Sequence, residues 1–118
     1  MNLAELSFET RDRTVVARVS GEIDLSNVGV IREALTEGTP NHALALVVDL
    51  SPVEYLDSSG IQLIYRLRED LRIRGQELVL VIPAESAANA ALRLAGVEQH
   101  IHTSPTLEEA LHLLPESD

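Results

Sequence analysis

The chain has 118 residues, 45% of them apolar, and nine basic against nineteen acidic side chains give it a formal charge of −10. That is one domain's length with enough apolar content for a core and, at 24% charged residues, enough polarity to solvate its outside, which argues against disorder. The lack of cysteine excludes a disulfide framework, a thiolate metal site or a cysteine nucleophile, and the acidic balance repels nucleic-acid backbones over a Debye length of roughly 8 Å.

In chain order, Leu3 to Thr10 alternates Leu6 and Phe8 with polar neighbours, and Val15 to Ser20 carries Val15, Val16 and Val19 after the turn-like Arg11-Asp12-Arg13. These read as two strands of a hairpin. Glu5 and Glu9 stand where a secretory signal would carry positive charge, and no apolar stretch approaches the roughly 20 residues of a membrane span, so the expectation is a cytoplasmic protein without a membrane segment. Gly21-Glu22-Ile23-Asp24 leads into a helix over 26–37, with Val28, Ile31 and Leu35 at helical spacing behind the candidate caps Asp24 and Ser26. Gly38 and Pro40 end it.

Ala43 to Leu50 is apolar almost without alternation, as expected of a central strand covered on both faces. After Ser51-Pro52 and the short stretch Val53 to Leu56 comes Asp57-Ser58-Ser59-Gly60, then a helical run to Arg74 that Gly75 terminates. At 100° per residue, Gly60, Leu63, Ile64, Leu67 and Leu71 share one stripe, which predicts the buried face. Glu77 to Ile82 is another buried strand, Ser86 to Leu94 an alanine-rich helix, and Ile101-His102 a last short strand. Ser104 caps a final helix with Pro105 at its first position and Leu107, Ala110, Leu111 and Leu114 on its apolar side. Residues 1–118 therefore form a single α/β or α+β sandwich: a mixed sheet of about four to five strands, opened by a hairpin and covered by about four helices.

Sites on such sheets lie beyond the carboxyl ends of the central strands, and the strand ending at Asp49-Leu50 delivers the chain to Asp57-Ser58-Ser59-Gly60. Ser59 and Gln62 stand three apart, as in a capping box, so Ser59 or its predecessor closes the helix start and Gly60 permits close packing on the sheet. Ser58 then sits at or just outside a helix N-terminus, where unpaired N–H groups and the dipole favour an anion by roughly 0.3–1 kcal/mol. Ile61, Tyr65, Arg68 and Arg72 lie on the flank beside the buried stripe, a candidate partner face if Ile61 and Tyr65 do not simply pack under a loop.

The segment Val48 to Ile61 resembles the signature of the STAS domain, in particular the single-domain anti-sigma factor antagonists. The resemblance extends over nearly the whole chain: opening hairpin, Gly21-Glu22-Ile23-Asp24 before the first helix, Asp49 at the end of the buried strand, Asp57-Ser58-Ser59-Gly60, and Gly75-x-x-Leu78 before the next strand. It implies that Ser58 is phosphorylated by an anti-sigma factor that is also a serine kinase, and that the unphosphorylated form binds this partner and releases its sigma factor. Asp24 and Asp57 are the implied acidic neighbours at that surface. With Ser59, Gly60 and the flank residues Ile61, Tyr65 and Arg68 they make up the expected partner-binding residues, and a PP2C-like phosphatase is a further candidate partner. A phosphate adds about −1.5 to −2 charges. Each unit charge about 6 Å from a like charge costs about 3 kcal/mol at an effective dielectric of about 20, so repulsion at an interface is the expected switch. The family also contains accessory subunits of membrane lipid-transport complexes and signalling-scaffold protomers, which stay as alternatives.

Catalysis finds little support. The sequence has no Gly-x-Ser-x-Gly elbow, no phosphate-binding Gly-x-x-x-x-Gly-Lys-Ser/Thr loop and no Gly-x-Gly-x-x-Gly, so an enzyme or a bound nucleotide cofactor is not expected. His100-x-His102 lacks further ligands placed by sequence and reads as a solvated edge, Asp24 and Asp57 are too few for a magnesium site, and Glu108-Glu109 suits a helix dipole.

Overall fold

The computed structural model describes residues 4–114. Strands β1 (Glu5–Arg11) and β2 (Thr14–Ile23) form an antiparallel hairpin in register from Glu5 opposite Ser20 to Arg11 opposite Thr14. Leu3, the expected start of the first strand, lies outside the described residues. The chain continues through α1 (Val28–Glu37), β3 (Ala45–Asp49), β4 (Val53–Leu56), α2 (Ser58–Ile73), β5 (Glu77–Val81), α3 (Ala87–Leu94), a 3-10 turn (Val97–Gln99), β6 (His102–Ser104) and α4 (Leu107–His112).

The sheet runs β1-β2-β3-β5-β6, parallel beyond the hairpin, and β4 pairs in parallel with the end of β2. Each parallel step passes through a helix, and β3, between two parallel neighbours, is buried at every residue, as its unbroken apolar run predicts. Alternate residues of β2 and β3 separate two cores. Val15, Ala17, Val19, Leu46 and Val48 pack with the buried stripes of α1, α2 and α3, while Val16 and Val47 join Val79, Val81 and Ala110 beneath α4. The predicted α2 stripe of Gly60, Leu63, Ile64, Leu67 and Leu71 is buried in full.

Several elements differ from the sequence reading, because the groups concerned find other partners. The sheet has six strands, since Val53–Leu56 finds a mate where β2 leaves β3. Helix α1 begins at Val28 rather than Ser26, because Asp24 accepts bonds from the backbone and hydroxyl of Ser26 and folds 24–27 into a turn. Ser104 pairs with Val81 in β6, so the cap of α4 passes to Thr106, which accepts from Glu109 N at 3.2 Å. Ser86 precedes α3, but its hydroxyl donates to the Pro83 carbonyl instead of capping. Helix α2 ends as predicted: Gly75 takes φ 73°, and Gly75 N and Gln76 N bond back to Arg72 O and Leu71 O.

Candidate functional site

Two neighbouring strands of the sheet end at the site together. At Gly21, φ 90° and a register shift let β2 bulge and exchange its partner β3 for β4. Ile23 then pairs with Leu56, and Asp57 N bonds to Ile23 O at 3.2 Å. Asp24 and Asp57 are the next residues on two parallel strands, whose usual spacing is about 4.8 Å, so both carboxylates emerge at one end of the sheet. The loop after β2 is held by Asn27, whose side-chain amide donates to Glu22 O at 2.7 Å while its oxygen accepts from Asp24 N at 3.0 Å.

On the β3 side, Asp49 turns the chain towards β4. Its buried carboxylate accepts from Ser51 N at 2.9 Å and from the Ser51 hydroxyl, and Arg18 faces its other oxygen at 3.5 Å. Four residues of β4 then bring the chain to Asp57.

Asp57, not Ser59, is the N-cap of α2: Asp57 Oδ1 accepts from Ser59 N at 2.8 Å and Gly60 N at 3.2 Å. Those N–H groups are therefore already bonded to a carboxylate, and the stabilisation expected there for a second anion is removed. Ser58 is the first residue of α2, exposed, and no described residue hydrogen-bonds its hydroxyl. Gly60 follows two residues on, where a Cβ would come within 2.7 Å of Leu56 Cγ and 3.1 Å of Ile23 Cγ2. The helix start is thus seated directly on β2 and β4, which fixes how far Ser58 stands out from the sheet.

The expected flank is only partly a surface. Ile61 and Tyr65 are half-buried against the core, and the Tyr65 ring meets His100 edge-on with centroids 6.0 Å apart. His100 closes the 3-10 turn instead of lying on a strand with His102. Arg68 is exposed without an ion pair among the described residues, whereas Arg72 is engaged by Glu69 at 2.6 Å, a contact that holds the Glu69 carboxyl below its ordinary value. On the other side of α2, Arg32 of α1 clasps Asp70 through two bonds of 2.8 Å, and these keep the Asp70 carboxyl below the usual carboxylate range.

Sequence reasoning missed three surface residues of α1, α2 and the loop before α1. Leu25 and Val30 are 77% and 71% exposed, and Arg66 joins Leu25, Ser59 and Gln62 in lining a hollow between α1 and α2. Leu25 carried a signal, as an apolar residue between the turn residues Asp24 and Ser26, and Val30 stands off the Val28-Ile31-Leu35 stripe. Arg66 carried none, because its neighbours come from a helix some thirty residues earlier. Among the described residues no cluster of three or more His, Asp or Glu could hold a metal ion, and no helix is long and apolar enough to cross a membrane. The site therefore offers an exposed serine at the start of α2, next to the capping Asp57, with no described residue bonded to its hydroxyl and no metal-holding cluster among the described residues.

The family model for the STAS domain matches residues 5–110. Anti-sigma-F factor antagonist RsfB of Mycobacterium tuberculosis is 32% identical over 97 residues, which covers 81% of this chain and 77% of that protein. An anti-sigma-B factor antagonist of Listeria monocytogenes is 37% identical over 78 residues, 64% of this chain and 68% of that one. Among solved structures, an anti-sigma factor antagonist from Mycobacterium paratuberculosis superimposes with a TM-score of 0.81 at 30% identity, covering 97% of this chain and 96% of that one.

Proposed function

The chain belongs to the STAS domain family, and from that premise we propose that it is an anti-sigma factor antagonist whose switch is phosphorylation of Ser58. In this reading the unphosphorylated protein docks on an anti-sigma factor that is also a serine kinase and displaces the sigma factor. The γ-phosphoryl group then passes from the partner's ATP to the Ser58 hydroxyl. No described residue bonds that hydroxyl, so the base that takes its proton comes from the kinase. A PP2C-like phosphatase resets the switch, and the circuit operates in the cytoplasm. The protein is substrate and switch, not an enzyme.

The observation that carries the reading is the exposed Ser58 at the first position of α2, with Asp57 and Asp24 beside it. Because Asp57 holds the Ser59 and Gly60 N–H groups, a phosphate on Ser58 finds its nearest helix donors already bonded to a carboxylate and projects toward the partner. Against a like charge about 6 Å away each unit of its charge costs about 3 kcal/mol at an effective dielectric of about 20, which is about a hundredfold in affinity. Asp24, Asp57, Ser59 and Gly60 border the docking face. Arg68 extends it along α2, and Ile61 and Tyr65 contribute their outer edges.

The test is to incubate the chain with an anti-sigma serine kinase from the same genome and ATP, then weigh it intact. One added phosphate is expected, located on Ser58 by fragmentation and absent from Ser58→Ala. Labelling that persists unchanged in Ser58→Ala would refute the assignment.

A further inference from the structure

Two hollows adjoin between α1 and α2, one of about 200 Å³ beside Ser59 and one of about 600 Å³ beyond it, and they meet at Gly29 and Arg32. They make a groove that begins next to Ser58 and runs along the helix pair. Three of its features have no use inside the chain. Gly29 lies in the first turn of α1 without a positive φ, and a Cβ built there meets nothing within 4 Å, so neither backbone conformation nor packing explains the missing side chain. Leu25, at the mouth, leaves 77% of its surface in water. Arg66 is exposed and makes no ion pair among the described residues, while Arg32, across the groove, is committed to Asp70.

We propose that this groove is the second half of the partner-docking surface, receiving from the anti-sigma factor a segment that sets an apolar side chain against Leu25 and Gly29 and a carboxylate against Arg66. The inference rests on the reading of Ser58 given above and extends it to the partner's chemistry. Charge complementarity supplies the occupant. The Ser58 end of the surface bears Asp24 and Asp57, whereas Arg66 stands eight residues further along α2, about 12 Å by helical rise. A partner that matches this surface places an acidic group over Arg66 and an apolar side chain at Leu25 and Gly29, which fixes its direction along the groove. Ser59, Gln62 and Arg66 share this face of α2 by their spacing, while Ile61 and Tyr65 turn towards the core on the other side. A second copy of this chain is the weaker occupant, because two bodies of charge −10 repel.

The experiment measures calorimetric affinity of the full chain for the anti-sigma kinase that phosphorylates it, with Gly29→Trp, Arg66→Glu, Ser58→Glu and, as a control for net charge, Arg93→Glu on α3. At Gly29 a Cβ meets nothing within 4 Å and the position is exposed, so Gly29→Trp should place its ring in the groove, and a melting temperature near wild type is the check that any loss of affinity comes from blocking it. Gly29→Trp and Arg66→Glu are each expected to lose at least about tenfold in affinity, and Arg93→Glu to stay within about threefold. If both groove variants bind like wild type while Ser58→Glu does not bind, the groove is excluded and the reading of Ser58 survives. If Ser58→Glu binds as tightly as wild type, that reading fails and takes the groove with it. Sedimentation that finds a dimer which Arg66→Glu dissociates would also overturn the proposal, since the occupant would then be another copy.

Discussion

Replacing glycine by alanine at two helix positions should give opposite results if the site is held as described. At Gly60 the new Cβ would lie 2.7 Å from Leu56 Cγ, 3.0 Å from Leu56 Cδ1 and 3.1 Å from Ile23 Cγ2, where ordinary carbon contacts are about 3.5–4.0 Å. Neither neighbour can withdraw easily: Ile23 and Leu56 are 2% and 7% exposed and are paired across β2 and β4. Three contacts this short put the overpacking cost in the upper part of its usual range, about 2–3 kcal/mol, and the helix propensity of alanine over glycine returns about 1. The net of about 1–2 kcal/mol, divided by an unfolding entropy of about 0.25 kcal/mol/K for a chain of 118 residues, lowers the melting temperature by about 4–8 °C. At Gly29 the same methyl meets nothing, so Gly29→Ala should melt at or slightly above wild type. The assay is thermal unfolding followed at 222 nm, with urea titration as a second measure. Because the clash lifts the start of α2 from the sheet, Gly60→Ala should also be phosphorylated more slowly at Ser58. Equal shifts in the two variants, or a Gly60→Ala protein as stable as wild type, would refute the claim that close seating on Leu56 and Ile23 sets the position of Ser58.

Asp57→Ala removes the acceptor for Ser59 N and Gly60 N and should cost about 0.5–2 kcal/mol in urea unfolding, whereas Asp57→Asn keeps an oxygen in place and should lose less. Asp70 has its carboxyl lowered by the Arg32 bonds, so its contribution is complete above the unfolded value of about 3.9 and is lost as pH falls through the lower folded value. Asp70→Asn should therefore destabilise by about 1 kcal/mol at neutral pH and make the acid side of the stability profile shallower, an outcome read from melts between pH 2 and 7. Asn27→Ala breaks two of the bonds that hold the loop carrying Asp24. It should weaken binding to the kinase in calorimetry by several-fold, with a smaller effect on melting than Gly60→Ala.

The parts of this fold that local periodicity controls were legible in advance. The apolar run of β3 announced a strand covered on both faces, and the spacing of Gly60, Leu63, Ile64, Leu67 and Leu71 named a helix face that is buried throughout. Strand β4 was not legible, because its four residues bury only Val53 and Leu56 and it exists through a mate supplied by the bulge at Gly21. The cap of α2 was ambiguous for a chemical reason: aspartate and serine are both good N-caps, and only the register of Ile23 with Leu56 decides that Asp57 takes the place. The groove depends on bringing together two helices far apart in sequence, so Arg66 looked like any solvated arginine. The hydroxyl of Ser58 is where the resemblance directed attention, and it is exposed.

The most direct measurement compares the affinity of the two covalent forms for the same anti-sigma kinase: unmodified chain and chain carrying one phosphate on Ser58, titrated calorimetrically at physiological ionic strength. Tight binding is expected of the first and a loss of about a hundredfold or more of the second, with near-native circular dichroism in both. Equal affinities for a stoichiometrically phosphorylated and an unmodified sample would contradict that expectation.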